Sequence, residues 1–205
     1  ARTLGDTLGV RRLTGLVGNV DITRQTGAAT AYWVGENAAG TESQQTLGLM
    51  QLRPKGLVAY TEVGRLLRQQ MTPDADMFVM DDLAKQMALA IDIALFAGTG
   101  ASNQPTGILS TAGIGSVTGT TLGYAGALEF QTDVAGANAL STGCRYVTTP
   151  TVAALLATRQ RFASTDTPIW TGNILDGQVA GFPAHTSTQI PAGTMLFGDF
   201  SEVVQ

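Results

Sequence analysis

The stretch ITRQTGAATAYWVGE, residues Ile22–Glu36, is rich in β-branched and aromatic residues and predicts a long β-strand. A second such stretch, TLGLMQLRPKGLVAYT, residues 46–61, follows the small, polar segment NAAGTESQQ. Together they predict an antiparallel hairpin over Ile22–Tyr60, which we call the ribbon. Pro54 suits a two-stranded ribbon, because an exposed edge tolerates a residue without an amide proton.

The ribbon is not expected to be stable by itself. Ordering its backbone costs about 1–2 kcal/mol per residue, whereas each ladder hydrogen bond returns only about 0.5–1.5 kcal/mol. Burial of apolar side chains such as Trp33 has to supply the difference, and strands of this length reach too far for so small a chain to cover them. We therefore expect the ribbon to lie on another protein molecule. The alternative is that its two halves join a local sheet with later strands.

The composition fits a protein whose surface meets other protein. Of the 205 residues, 14% are charged and 44% are hydrophobic, whereas about 25% of an average soluble domain is charged. The 25 glycines also dilute the charge. A net charge of −4 with scattered cations argues against tight nucleic-acid binding. We find no membrane-spanning run and no secretory signal, so we expect a soluble, intracellular product.

A long helix is predicted in TPDADMFVMDDLAKQMALAIDIALFAG, after a shorter one in YTEVGRLLRQQM. Thr72 is its expected N-cap, Pro73 and Asp74 suit its first turn, and Gly98 ends it. Apolar residues recur every four positions, at Val79, Leu83, Met87, Ile91 and Leu95. This stripe indicates a packed strut. The methionines Met77, Met80 and Met87 are expected to fill gaps in the core.

The segment GTGASNQPTGI, which begins at Gly98, looks at first like a phosphate-binding loop. Such loops lie between a strand and a helix N-terminus, whereas this one follows a helix C-terminus and lacks the Gly-Lys-Ser/Thr of a P-loop. We predict instead a structural turn shaped by Gly98, Gly100, Pro105 and Gly107. Asp92, about a turn and a half earlier, is expected to accept hydrogen bonds from this turn or to be solvated.

The remainder of the chain predicts an α+β pattern. A Gly-, Ser- and Thr-rich loop follows Ile108, and then come a helix over Ala125–Ala139, a strand in CRYVTT and a helix opened by Thr149 and Pro150. Short strands are expected around PIWTG, GFPAHTST and TMLFGDF.

No catalytic or metal constellation is evident. His185 and Cys144 are the single histidine and the single cysteine, so we expect no metal site and no cofactor. Nucleophilic catalysis would have to use His185 as its base, and no nucleophile elbow surrounds it. We expect a protein that is not an enzyme. A small hydrolase using His185 is the alternative from another class.

The motifs, in their order, resemble the major capsid proteins of tailed bacteriophages and prophages, which have the Hong Kong 97-type fold. The resemblance runs from about Val20 to Phe200, and no single motif decides it. The motifs are ITRQTGAATAYWVGE, VAYTEVGRLL, AIDIALFAGTG, QPTGIL, GFPAHTSTQIP and LFGDF. The resemblance implies an N-terminal arm over 1–21, an extended hairpin or E-loop over 22–60, part of a P-domain with its spine helix over 61–123, and an A-domain over 124–205 that lacks its last strands.

The same resemblance implies a shell subunit that assembles into the hexamers and pentamers of an icosahedral head enclosing double-stranded DNA, without sequence-specific binding. The implied partners are further copies of the chain, a scaffolding segment, a maturation protease and a portal protein; no membrane is implied. The expected location is the virion, after assembly in the cytoplasm of a bacterial host. An encapsulin-like compartment that packages protein cargo is the alternative of the same architecture.

The resemblance also implies where subunits meet. The ribbon would reach over a neighbouring subunit's P-domain, and Arg65 and Arg68 would pair with Glu36 and Glu42. The implied interface residues are Trp33, Glu36, Glu42, Arg65 and Arg68. Some family members crosslink their shells through an E-loop lysine, but the only lysines here are Lys55 and Lys85, outside the tip. We therefore expect a shell without covalent crosslinks.

Overall fold

A computed structural model describes residues 3–15, 17–70, 75–164 and 166–204, without the side chains of residues 67, 68 and 75. The chain forms two compact units, a smaller one over Thr14–Lys55 and a larger one made of Ala1–Leu13 and Gly56–Gln205. The strands are β1 Val20–Gly27, β2 Thr46–Leu52, β3 Arg145–Thr148, β4 Trp170–Gly172, β5 Asp176–Val179, β6 Phe182–Thr186 and β7 Met195–Gly198. The α-helices are α1 Leu4–Leu8, α2 Arg65–Gln70, α3 Ala75–Ala97, α4 Tyr124–Gly136 and α5 Pro150–Thr158. Short 3-10 turns lie at Ile108–Ser110 and Phe200–Glu202.

The smaller unit contains the predicted hairpin, with shorter strands than expected. β1 and β2 pair antiparallel from Val20 opposite Leu52 to Gly27 opposite Thr46, with an irregularity between Gln25 and Gly27. Within the described residues, 28–45 and 53–64 form no strand, so Pro54 lies beyond the pairing. Small residues dominate just after β1, and they offer little cross-strand packing to extend the ladder. The hairpin is a sheet of two strands, so the alternative in which it joins later strands is wrong.

The larger unit contains a mixed five-stranded sheet of order β4-β5-β6-β3-β7. β3 runs parallel to β6, and the other neighbours pair antiparallel. Strand β5, with the sequence DGQV, was not predicted from the sequence. Asp and Gly disfavour strands locally, so this strand depends on its pairing with β4 and β6.

Both faces of this sheet are covered at the strand β3. In β3 the fully buried neighbours Tyr146 and Val147 belong to different core clusters, as expected from side chains that alternate between the faces of a strand. The first cluster joins helices α4 and α5 to the sheet through Ala127, Ala153, Leu156, Trp170 and Val179. The second gathers Leu8, Val10, Phe96, Ile190, Leu196 and Phe200. The strand was predictable because CRYVTT contains the strand-forming residues Tyr146, Val147 and Thr148 in succession.

Residues Thr3–Val10, part of the arm predicted over 1–21, pack into the larger unit. Thr3 caps α1 by accepting a hydrogen bond from the amide of Asp6, and Leu8 and Val10 enter the second core. The amide of Arg11 donates to the carbonyl of Val203 at 2.9 Å. A helix of 5 residues is too short to show periodicity in sequence. The four-part division into arm, E-loop, P-domain and A-domain stays a prediction.

The long helix α3 runs to Ala97, where Gly98 follows it. The residues of the predicted stripe are half-buried, namely Val79, Leu83, Met87, Ile91 and Leu95. Its predicted N-terminal residues Thr72, Pro73 and Asp74 lie outside the described part of the chain. Helix α5 begins as predicted, with the Thr149 hydroxyl accepting from the amide of Val152. Among the described helices, none is long and apolar enough to cross a membrane.

Candidate functional site

The ribbon presents its large apolar side chains to the outside. Trp33 is wholly accessible, with a relative exposure of 105%, and Leu49 of β2 is 67% exposed. Further exposed residues are Tyr32, Val34, Leu47, Met50, Leu57, Val58 and Tyr60. Scattered exposed apolar residues are normal on proteins, but a run of them along one hairpin marks a contact surface.

Polar bonds shape the loop that carries Trp33. The hydroxyl of Ser43 donates to the carbonyl of Thr30 and accepts from its amide, both at 3.0 Å. The hydroxyl of Thr26 donates to the carbonyl of Thr46 at 3.1 Å. These bonds tie the two sides of the loop together without covering its apolar side chains. The apolar surface is therefore built into the conformation of the loop.

Three of the charged residues predicted at the interface, Glu36, Glu42 and Arg65, are exposed. Within the described residues they form no ion pair, and the side chain of Arg68 lies outside the described part. Their pairing between subunits stays a prediction. At the base of the hairpin, Arg53 lies 3.7 Å from Asp21, an exposed ion pair that sequence reasoning did not identify.

The start of α3 carries a second exposed apolar surface. Met77, Phe78 and Met80 are exposed by 75%, 61% and 71%. The prediction that Met77 and Met80 fill the core is therefore wrong, whereas Met87 is half-buried. Methionine is a gap-filler in cores but also common at adaptable contact surfaces, and the sequence alone does not separate these uses.

Next to this apolar surface, Asp81 and Lys85 form an ion pair one turn apart at 2.5 Å. The hydrogen bond and charge of Lys85 hold the pKa of Asp81 below its usual value. Both side chains are mostly exposed, so the pair contributes little to stability.

The segment after α3 forms a short hairpin. Thr99 pairs with Thr106, the amide of Gly100 donates to the carbonyl of Pro105 at 3.2 Å, and the amide of Gly107 donates to the carbonyl of Gly98 at 2.8 Å. Gly100 takes a positive φ of 72°, whereas Gly98 is required for a steric reason. A Cβ at Gly98 would lie 2.3 Å from the carbonyl oxygen of Pro105. The two backbones therefore cross closely at the end of the helix, and the amides of Gly100, Gln104 and Gly107 bond within the segment.

Asp92 does not bond the turn and is not solvated, so both expectations for it are wrong. It is only 5% exposed. Its carboxylate accepts hydrogen bonds from the amides of Leu4 at 2.8 Å and Gly5 at 3.3 Å. Sequence reasoning missed this contact because the partner amides lie 88 and 87 residues away, in the predicted N-terminal arm.

His185 is paired with a carboxylate, as a catalytic base often is, but its second ring nitrogen is not accessible to a substrate. Its Nδ1 lies 2.5 Å from Oδ1 of Asp176, its cross-strand neighbour, beside an open cavity that Thr171, Gln178 and Pro183 also line. Its Nε2 is buried and has no hydrogen-bond partner. A base has to reach the proton that it removes, so this geometry does not favour the hydrolase alternative.

Other catalytic or metal-binding groups do not gather around it. Cys144 is buried as well. In the described part of the chain, no group of three metal-ligating side chains occurs.

Comparisons with known proteins point in one direction. The model of the phage capsid family matches residues 3–204. A curated major capsid protein of Halomonas phage phiHAP-1 is 32% identical over 206 residues, which cover 99% of this chain and 33% of that protein. The chain thus spans about a third of the length of the curated relative it matches.

Solved structures show the same likeness. The capsid of a native GTA particle computed with C5 symmetry matches with a TM-score of 0.75 at 16% identity, over 98% of this chain and 75% of that one. A chain from Mycobacterium phage Adephagia matches with a TM-score of 0.72 at 14% identity, over 99% and 70%. At such identities, the likeness shows a shared fold.

Proposed function

This chain belongs to the phage capsid family, and on that premise we propose that it is a major capsid protein, the structural subunit of a phage head. The structural observation that carries the proposal is the complete exposure of Trp33 on the ribbon. Large exposed apolar surfaces mark interaction sites. In a shell, neighbouring subunits would bury such a surface.

The energetics favour contact between copies. Burying a tryptophan side chain removes about 150–250 Å² from water, which is worth about 4–6 kcal/mol before the costs of ordering. Aromatic residues at the centre of interfaces are the ones whose removal costs most, about 2 kcal/mol or more. Trp33 is fully available for such a contact because it buries nothing in its own chain.

In the proposed shell, the ribbon lies on residues 61–123 of a neighbouring subunit. The exposed face of α3 formed by Met77, Phe78 and Met80 is an acceptor of matching chemistry. Glu36 and Glu42 of one subunit would pair with Arg65 and Arg68 of the next at the rim of that contact. Rim charges mainly set the rate and orientation of association, so the apolar contact supplies most of the affinity.

The finer proposal is an icosahedral head of hexamers and pentamers that encloses double-stranded DNA. Its acidic balance, with a net charge of −4, suits a container that holds DNA without adhering to it. The proposed partners are further copies of the chain, a scaffolding segment, a maturation protease and a portal protein. Assembly would take place in the bacterial cytoplasm and the product would be the virion. As a member of a structural family, the chain is assigned no catalytic reaction.

The test is assembly of the purified chain over a concentration series, followed by sedimentation velocity and negative-stain microscopy. We expect closed particles above a threshold concentration. Trp33→Ala should raise that threshold by about thirtyfold or more, the factor that matches about 2 kcal/mol. Val17→Ala is the matched control, since Val17 is also an exposed apolar residue, at 93%, but lies outside the ribbon. Equal thresholds for the two variants would contradict the role of Trp33, and a chain that stays monomeric at all concentrations would contradict the proposed function.

A further inference from the structure

We propose that Asp92 is a positioning residue for assembly, because it fastens the N-terminal segment Thr3–Arg12, here called the clasp, from which the chain enters the ribbon. The purpose of the clasp rests on the proposed function, whereas its attachment rests on the structure alone. The Asp92 carboxylate is 5% exposed, and it bonds the amides of Leu4 and Gly5 at 2.8 and 3.3 Å. A buried carboxylate needs such partners. Because these bonds join residues 88 and 87 positions apart, Asp92 is a long-range tie between α3 and the clasp.

The clasp also closes on itself. The Thr3 hydroxyl accepts from Nη2 of Arg12 at 2.9 Å, and the same nitrogen lies 3.1 Å from Oδ1 of Asp6. Leu8 and Val10 anchor the middle of the clasp in the second core. The clasp is therefore held at its start by Asp92, in its middle by burial and at its end by the amide of Arg11, which donates to the carbonyl of Val203. The Arg12 side chain ties the clasp to itself.

Directly after the clasp, the backbone is exposed and is not closely packed. Leu13 is 36% exposed, and Gly15 and Gly18 take positive φ values of 80° and 75° with open space around each. On the other side of the ribbon, residues 53–64 form no helix or strand. On the N-terminal side, the clasp is therefore the segment nearest to the ribbon that bonds into the larger unit. An ordered clasp leaves fewer loop conformations to be lost when the ribbon binds a neighbour, which lowers the cost of association.

The experiment measures the clasp in the dilute, full chain. Spin labels are placed on cysteines at Leu13 and Ala154, both exposed and both in the larger unit, while the native Cys144 is buried and stays unlabelled. We expect a narrow distance distribution in the parent chain and a broad one in Asp92→Ala. Asp82→Ala is the matched control, because it removes the same charge from an exposed position of the same helix.

Amide hydrogen exchange gives a second measure of the same event. The amides of Leu4 and Gly5 should exchange about ten- to a hundredfold faster in Asp92→Ala, as expected for the loss of a charged hydrogen bond. Amides of β3 should keep their protection, which shows that the core remains folded. Should Asp92→Ala fold poorly, the milder variant Asp92→Asn keeps the size of the side chain and removes its charge, and it should broaden the same distribution to a smaller extent.

An assembly assay then tests whether the clasp contributes to shell formation. The threshold concentration should rise by the factor by which the closed-clasp fraction falls. A narrow distribution in Asp92→Ala overturns the inference, and so does a broad distribution with an unchanged threshold, since Asp92 would then be a local support only. A parent chain that never assembles refutes the proposed function, while the distance measurement still tests the attachment of the clasp.

Discussion

Replacing Gly107 by alanine should destabilise the larger unit, although most glycine-to-alanine changes at such a backbone conformation would do the opposite. Gly107 has φ −80° and ψ 170°, which any residue adopts, so the stiffer unfolded chain would by itself favour alanine by about 0.4–1 kcal/mol. The new Cβ, however, would lie 2.4 Å from the nitrogen of Gly98, 2.8 Å from the oxygen of Ala94 and 2.9 Å from the nitrogen of Ala97. All three are backbone atoms at the end of α3, so no side chain can move aside.

The clash outweighs the entropic gain. Overpacking of a tight site costs about 1–3 kcal/mol, and moving the backbones apart forfeits the 2.8 Å bond from Gly107 to Gly98, worth about 0.5–1.5 kcal/mol. The net expectation is a destabilisation of about 0.5–4 kcal/mol. In a chain of this size each kcal/mol lowers the melting temperature by about 2–4 °C, measured by circular dichroism or calorimetry.

Gly119→Ala is the matched control for this variant. Gly119 has no positive φ, and a Cβ there would meet nothing within 4 Å. It should leave the melting temperature unchanged or raise it slightly. If Gly107→Ala and Gly119→Ala have the same melting temperature, the backbones at Gly98 and Gly107 are not as closely packed as described, and the reasoning is refuted.

Two further predictions concern pH. The hydrogen bond from the Ser141 hydroxyl, and after it those from Ser201, hold the pKa of Asp199 below its usual value. The stabilisation that the ionised Asp199 gives to the fold is therefore complete above the unfolded pKa near 4 and is lost as pH falls through the lower folded pKa. Urea unfolding should therefore show that the stability lost in Asp199→Asn shrinks below about pH 4; a constant loss would contradict this. Burial raises the pKa of Tyr146 to about 12, so stability should fall as pH rises from about 10 to 12. Tyr146→Phe should flatten that alkaline limb, and an unchanged limb would show that another group causes it.

The fold class was accessible from the sequence because its strongest signals are local. The predicted α+β fold of the Hong Kong 97 type agrees with the capsid structures that the chain matches. The two strand-forming runs around a polar tip predicted the hairpin, and Thr149 with Pro150 predicted the start of α5. Each of these signals lies within a few neighbouring residues, where turn and capping chemistry act.

The predictions that failed concern residues whose contacts lie far away in the sequence. Asp92 is bonded by amides 87 and 88 residues away, and β5 exists through its neighbours in the sheet. Met77 and Met80 satisfy a helical pattern whether they face a core or the outside. The interface residues are a harder case, because the sequence indicates that Trp33 needs a covering surface but not which residues supply it. Under the proposed function its partner lies in another molecule, so the periodicity of this chain does not identify it.

The two tryptophans show how the chain divides its apolar surface. Trp170 is 2% exposed in the first core, and its indole nitrogen donates to the carbonyl of Asn173 at 2.9 Å. Trp33 is wholly exposed on the ribbon. The larger unit contains both core clusters, whereas the smaller unit has two strands and no core cluster among the described residues. Two strands alone are marginal in water, and in the proposed shell association supplies the stability that the hairpin lacks. Under the proposed function, ordering of the ribbon and assembly of the shell are one coupled event, and a substitution that weakens the contact should lower both together.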